Sequence, residues 1–376
     1  MHYLAITTPT LQRSLTVLAG ICLTILLIQL ADRIQPRSYT FRWQNISSRF
    51  QLRVIWMSLG AIIIITILVG VGLIVGDYPI PASKAIATAL WDRNGEYDFI
   101  VNSLRFPRII VAILAGMCFA SSGLIFQSLI NNPLVSPDII GINSGAAVLA
   151  VAILAAGGNI MYLPYAAFLG ALLAAALIYL LSWKRGISAT RLVLVGIGIN
   201  AVLGAIITYI TIKYPIERVV AAARWQAGTL FGATWDDART LSIGLLILLP
   251  PAFFLTTRLR ILQLGDETAI TIGSKIERDR LALLAVASLL AALAVSVVGP
   301  LGFVALIVPQ AARLLLGSIT GGVLIFTALL GGFFLLGADL IAQRLFAPVM
   351  LPAGVITATF GGPYFLYLLA RYNRAN

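Results

Sequence analysis

Long apolar runs separated by short polar stretches set the pattern of this chain. Val54 to Val75, Pro107 to Ile130, Ile139 to Ala156, Leu163 to Ser182, Leu192 to Ile212, Thr240 to Thr257, Leu281 to Val298, Leu301 to Leu316, Gly322 to Ile341 and Pro352 to Ala370 each read as an apolar segment. A helix that crosses the hydrocarbon core takes about 20 such residues. Strands of a membrane barrel would alternate over about 10 residues, and these runs do not alternate. The pattern predicts an all-α fold: a polytopic transmembrane helical bundle of about ten core helices. A further run, Leu15 to Leu30, is short and follows Arg13. It reads as an extra N-terminal helix or as a leader, and no clear small-residue cleavage site follows it.

The polar stretch Arg258 to Arg280 stands apart, with nine charged residues: Arg258, Arg260, Asp266, Glu267, Lys275, Glu277, Arg278, Asp279 and Arg280. One charge at the centre of a spanning helix costs about 2.5–3.5 kcal/mol on insertion scales, so this stretch belongs in water. Leu264, Ala269, Ile272 and Ile276 fall near one helical face, and Gly265 and Gly273 punctuate the segment. Two short helices with a turn between them are expected. The stretch reads as an ordinary inner loop or as a folded surface that touches a soluble partner.

Charge orients the bundle. Arg33, Arg37, Arg42, Arg49 and Arg53 face Asp32 alone in residues 31–53, which the positive-inside rule places in the cytoplasm. Alternation then puts residues 76–106, with Asp77, Asp92, Glu96 and Asp98, outside. The turn Asn131 to Asp138, the basic loop of Lys184, Arg185 and Arg191, the stretch 258–280 and the chain end with Arg371 and Arg374 fall inside. Residues 213–239 fall outside and carry a short helix, Glu217 to Leu230. Arg105, Arg108, Arg224 and Arg344 are outer arginines that run against the rule. They read either as snorkelling to lipid phosphate or as a positive rim for an acidic partner.

Only 11% of residues are charged and 60% are hydrophobic, against about 25% charged in an average soluble domain. In a membrane protein the net charge of +12 reflects inner-loop arginine rather than a nucleic-acid partner. Cys22 and Cys118 both lie in apolar runs, and the single histidine is His2. No metal cluster, catalytic triad or phosphate loop can be assembled, so no catalytic or metal-ligating residue and no cofactor bound by this chain is assigned. If ATP drives this protein, another chain hydrolyses it. Asp339 is the carboxylate set well inside a span. An intramembrane ionisable residue is a functional candidate by default, but beside Gly331, Gly332 and Gly337 it reads as a structural hydrogen-bond acceptor.

Four motifs share one order and spacing. Arg105-Phe-Pro-Arg108 opens an apolar helix that ends Gln127-Ser-Leu-Ile-Asn-Asn-Pro-Leu134. Leu264-Gly-Asp-Glu-Thr-Ala-Ile-Thr-Ile-Gly273 follows, then Val298-Gly-Pro-Leu-Gly-Phe-Val-Ala-Leu-Ile-Val-Pro309 with Arg313, then Leu351-Pro-Ala-Gly-Val-Ile-Thr-Ala-Thr-Phe-Gly-Gly-Pro363. Together they resemble the permease subunit of the iron-siderophore, heme and cobalamin family of ABC importers, over roughly residues 54–372. The domain reading is then a permease domain at 54–376 after an N-terminal extension at 1–53.

That resemblance implies a multi-pass protein of the bacterial cytoplasmic (inner) membrane. Its partners would be two ATP-binding cassette ATPases that use ATP and Mg, a second permease subunit, an external substrate-binding protein and the lipid bilayer. Gly265, Asp266, Glu267, Ala269 and Gly273 match the family's ATPase-coupling helices. Arg105, Arg108 and Arg344 match arginines that meet carboxylates of the binding protein. Asn132 and Leu134 match one cytoplasmic gate loop, and Ala189 and Thr190 a second, where the family often has hydroxyl residues at both places. Asn200, Thr208 and Thr357 match helices that line the central path, with ordinary interhelical hydrogen bonding as the plainer reading. The family usually reads Val-Pro-His where this chain has Val308-Pro309-Gln310. Among siderophore, heme and cobalamin the resemblance favours an iron-siderophore complex, the family's commonest substrate, carried into the cytoplasm; an identical or a paralogous second permease stays open. An ion-coupled secondary transporter is the alternative, and one intramembrane aspartate with no pair of broken helices argues against it.

Overall fold

The computed structural model describes residues 38–43, 46–76, 78–92, 95–184, 188–345 and 350–375. The run Leu15 to Leu30 lies outside them. Ser38–Trp43 (β1) and Ile46–Gln51 (β2) form an antiparallel ladder in which Tyr39 pairs with Phe50 and Thr40 with Arg49. It leads directly into α1, Leu52–Ile74. The remaining elements are helical: α2, Ala82–Leu90; α3, Phe106–Ile130, extended outward by a wider helical turn at Phe99–Arg105; α4, Ile142–Ala156; α5, Leu163–Ser182; α6, Ala189–Lys213; α7, Ile216–Gln226; α8, Trp235–Leu262; α9, Asp266–Thr271; α10, Ile276–Val298; α11, Val304–Leu316; α12, Gly321–Leu345; and α13, Ala353–Ala375.

Seven helices among the described residues are long and apolar enough to cross a membrane. The shorter α4 and α11 are also apolar. With α13 they make the ten core helices expected from the apolar runs. At 25 residues, α3 is about 37 Å long at 1.5 Å per residue.

Local chemistry sets the helix ends. Thr234 and Asp237 form a reciprocal capping box at the start of α8, each side chain bonding the other's backbone N–H. At the inner end of α3, Asn131 turns left-handed (φ 53°) and its N–H bonds the Gln127 carbonyl, a stop that favours Asn or Gly. The α3 and α12 helices approach at backbone distance. A Cβ on Gly116 would lie 2.2 Å from the Gly331 carbonyl oxygen, and one on Gly331 would lie 2.2 Å from that of Gly116. Small residues let two membrane helices approach at backbone distance. Phe119, Phe126, Leu124 and Leu290 are among the largest fully buried side chains, which puts α3 at the centre of the bundle with α10 and α12 against it.

The charged stretch is built differently from the two-helix expectation. Arg258 to Leu262 continue α8 and Ile276 to Arg280 begin α10, leaving one short helix, α9, between them. Charges that cannot lie in hydrocarbon extend the long helices beyond it instead of forming helices of their own. The outer short helix ends at Gln226 rather than Leu230, because Gly228 (φ 69°) turns the chain.

Candidate functional sites at the two ends of the bundle

The predicted docking residues lie at the outer end of the bundle and the coupling and gate residues at the inner end. At the outer end, the Arg108 guanidinium bonds Asp339 on α12 through two parallel contacts, Nε to Oδ2 at 2.9 Å and Nη2 to Oδ1 at 2.8 Å. Gln343 Nε2, one turn along α12, donates to the same carboxylate at 2.8 Å. Asp339 is 1% exposed and Arg108 13%. Bidentate pairing of this kind is short, strong and geometrically demanding. Asp339 is thus the structural acceptor expected of it. The Arg108 fork is engaged within the chain, so in this conformation it ties α3 to α12.

Arg105 also acts inward. Its Nη1 donates to the Leu73 and Ile74 carbonyls at 2.7 and 3.1 Å, and its Nη2 to that of Tyr78 at 2.6 Å. The last carbonyls of a helix have no partner within it, so Arg105 caps α1. Gly76 makes room, since a Cβ there would lie 1.9 Å from Nη2. Arg344 is half-buried at the same end, five residues beyond Asp339 on α12.

At the inner end, Gly265 (φ 96°) and Gly273 (φ 87°) bracket α9 in left-handed backbone that L side chains rarely adopt. Ala269 is fully buried, while Leu264, Ile270 and Ile272 are 62%, 64% and 57% exposed. The expected common face of Leu264, Ala269, Ile272 and Ile276 is thus split: Ala269 anchors α9 and Leu264 and Ile272 face out. Asp266, at the start of α9, bonds Arg280 on α10 at 2.7 Å, and Ser274 Oγ donates to Asp279 at 2.6 Å. Glu267 is exposed. A small knob results, held by polar contacts on its flanks, with Leu264, Ile270 and Ile272 open beside the exposed Glu267.

The first gate loop follows α3. Asn132 Oδ1 accepts from the Leu134 N–H at 2.9 Å, an Asx turn, and burial pushes the nearby Asp138 carboxyl above its ordinary value. In the second, Thr190 is exposed at the start of α6, and Arg191 Nη1 donates to the Ser182 and Lys184 carbonyls at 3.1 and 3.2 Å. Ala189 opens α6.

The path candidates are not brought together. Ser144 Oγ donates to Asn200 Oδ1, and Thr208, exposed on α6, donates to its own Gly204 carbonyl at 3.0 Å. Thr357 is fully buried and bonds Gly354 at 3.0 Å. In this conformation it has the ordinary hydrogen-bonded place that was its plainer reading, here within its own helix. Gln127, Ser128 and Gln263 were not singled out from the sequence, although they form the polar centre of the inner end. The signal was Pro309 inside an apolar helix, which must leave a carbonyl needing a donor. Among the described residues no group of His, Cys, Asp and Glu is placed to hold a metal ion.

The profile of the FecCD transport family matches residues 61–371. The ferric enterobactin transport system permease protein of Escherichia coli (strain K12) is 38% identical over 304 residues, covering 81% of this chain and 92% of that one. The Fe(3+)-citrate import system permease protein of Bacillus subtilis (strain 168) is 40% identical, over 76% of this chain and 86% of its own length. The hemin transport system permease protein of Yersinia pestis is 35% identical over 72% of this chain and 82% of its own. A solved inward-facing structure of a metal-chelate type ABC transporter shares the fold, with a TM-score of 0.74 at 24% identity over 84% of this chain and 99% of that one.

Proposed function

The chain belongs to the FecCD transport family, a membrane-spanning permease of ABC importers and not an enzyme, and from that premise we propose that it carries an iron-siderophore complex into the cytoplasm. Relatives named for ferric enterobactin and Fe(3+)-citrate support this substrate class. The complex is delivered by an external binding protein that docks at the outer end around Arg105, Arg108 and Arg344, of which Arg105 and Arg108 also join helices in this conformation. Two ATPase subunits, which use ATP and Mg, sit on the inner ends of two permeases in the bacterial cytoplasmic membrane. The exposed α6 supplies an apolar face, with Leu194, Val202 and Tyr209 open, for the second permease and the central path.

The observation that carries this reading is the knob at Gly265–Gly273. Leu264, Ile270 and Ile272 are open on a segment too charged to lie in lipid, and exposed apolar clusters rimmed by charge mark protein contacts. Movement of an ATPase against this knob is passed to the gate loops, and the path opens to the other side. The test is transport in vesicles holding this chain with its ATPase and binding protein. ATP-driven uptake of a ferric siderophore, abolished when the ATPase cannot hydrolyse ATP, is the expected result. Uptake that follows an ion gradient with ATP absent would contradict it.

A further inference from the structure

Pro309 interrupts α11. Lacking an N–H, it leaves the Ala305 carbonyl without its helical donor. The fully buried Gln127 supplies one: its Nε2 donates to Ala305 at 3.2 Å and to Leu306 at 3.0 Å. Those two carbonyls fix the amide's orientation, so its oxygen faces α11's Gln310. Gln310 Nε2 donates to Gln127 Oε1 at 2.9 Å and, with its second hydrogen, to the Pro133 carbonyl in the gate loop at 3.3 Å. A carboxamide nitrogen carries two donors; a neutral imidazole carries one. Gln310 can therefore serve both acceptors at once without a charge, as a neutral histidine could not.

The next residue of α3 is tied to the ATPase-facing side. Gln263, which follows α8 and precedes Leu264 and Gly265, donates through Nε2 to the Ser128 carbonyl at 3.3 Å. Arg313, one turn beyond Gln310, donates to Ser128 Oγ. Gln127 and Ser128 thus meet the gate loop through Gln310 and the coupling knob through Gln263, within a single turn of α3.

We propose that Gln310 is the positioning residue that latches the Asn131–Pro137 loop shut, and that Gln263 carries movement of the coupling knob to that latch through Ser128. This rests on the importer reading above. Pushing the knob shifts Gln263, the last turn of α3 moves relative to α11, and the Gln310 contacts to Gln127 and Pro133 part together. All the latch contacts are neutral on the loop side, so no buried charge is left behind when they open.

The test uses the complete transporter in vesicles loaded with the self-quenching dye calcein, without ATP. Gln310→Leu removes the amide, and Gln310→Glu keeps its shape but can offer at most one donor, so it cannot serve both acceptors. Each should raise dye leak roughly fivefold to tenfold, the size expected from losing two interhelical hydrogen bonds in a membrane, with the bound ATPase retained. Thr327→Val, which removes a buried hydroxyl bonded within α12, should not raise leak. Gln263→Ala should leave leak unchanged and lower the siderophore moved per ATP hydrolysed, and adding it to Gln310→Leu should cause no further loss in that ratio. Leak unchanged in both Gln310 variants overturns the latch, and normal coupling in Gln263→Ala overturns the transmission. Failure of the unaltered chain to couple ATP to uptake would instead overturn the importer reading.

Discussion

The two ends of α3 do the same mechanical job with different chemistry. The outer end is held to α12 by the buried pair Arg108–Asp339, whose carboxylate also accepts from Gln343. The inner end is held to α8 and α11 through Gln127, Gln263 and Gln310, with Arg313 reaching only a hydroxyl. Breaking a buried ion pair by removing one partner costs about 3–5 kcal/mol, because the other charge is stranded. Interhelical hydrogen bonds of the amide kind average about 0.6 kcal/mol in membranes. The two ends of α3 therefore differ in what a single truncation strands: a buried charge at the outer end, and neutral amides at the inner end.

The sharpest way to break that comparison is Asp339→Ala. It should cost about 3–5 kcal/mol and show as a large fall in thermal stability in detergent. The paired change Arg108→Met with Asp339→Leu should recover most of it, since no charge is then stranded. If Asp339→Ala were no worse than an inner-end amide change, the distinction between the ends would fail.

Next in size is Gly273→Val. It forces a β-branched side chain into left-handed backbone, a strain of about 1–2 kcal/mol, and reshapes the knob. Spanning helices should assemble normally by limited proteolysis while ATPase stimulation by substrate is lost; normal stimulation would remove the knob from the mechanism.

Smaller again is Thr357→Val. A buried hydroxyl bonded only to its own helix should cost about 1 kcal/mol in unfolding midpoint and leave uptake unaltered, whereas a path residue would change uptake at constant stability.

The smallest effect is expected at Asp138. Burial raises its pKa in the folded state, so its favourable contribution is complete below the unfolded carboxylate range and is lost as pH rises through the folded value. Asp138→Asn should therefore be at least as stable as the parent at pH 7, with the difference closing as pH falls toward 4. Lower stability of the variant at pH 7 would show that the charge is held by favourable contacts.

Much of the helical scaffold could be read from the chain, because twenty apolar residues in sequence admit little else in a bilayer. The water-facing character of 258–280 was equally legible from charge. What escaped was long-range. Arg108 and Asp339 lie 231 residues apart, and nothing local in either says that the outer arginine and the intramembrane aspartate satisfy one another. The α1 carbonyls that Arg105 caps are likewise invisible without tertiary packing. The single short helix α9 was hidden for a different reason: charge shows that a segment leaves the membrane, but not which flanking helix it prolongs. The β1–β2 ladder had a local signal in Tyr39, Phe41 and Trp43 alternating with Ser38, Thr40 and Arg42, which the basic character of the segment overshadowed.

The central claim is that this permease moves its cargo by lending the Gly265–Gly273 knob to a separate ATPase. The most direct measurement is to purify the chain in mild detergent from its native membrane, with and without Ile270→Asp, and to identify what accompanies it in stoichiometric amount. An ATPase that accompanies the parent chain and is lost from a correctly folded Ile270→Asp variant is the predicted result. A chain that purifies alone, yet moves solute in vesicles under an ion gradient, would contradict the account.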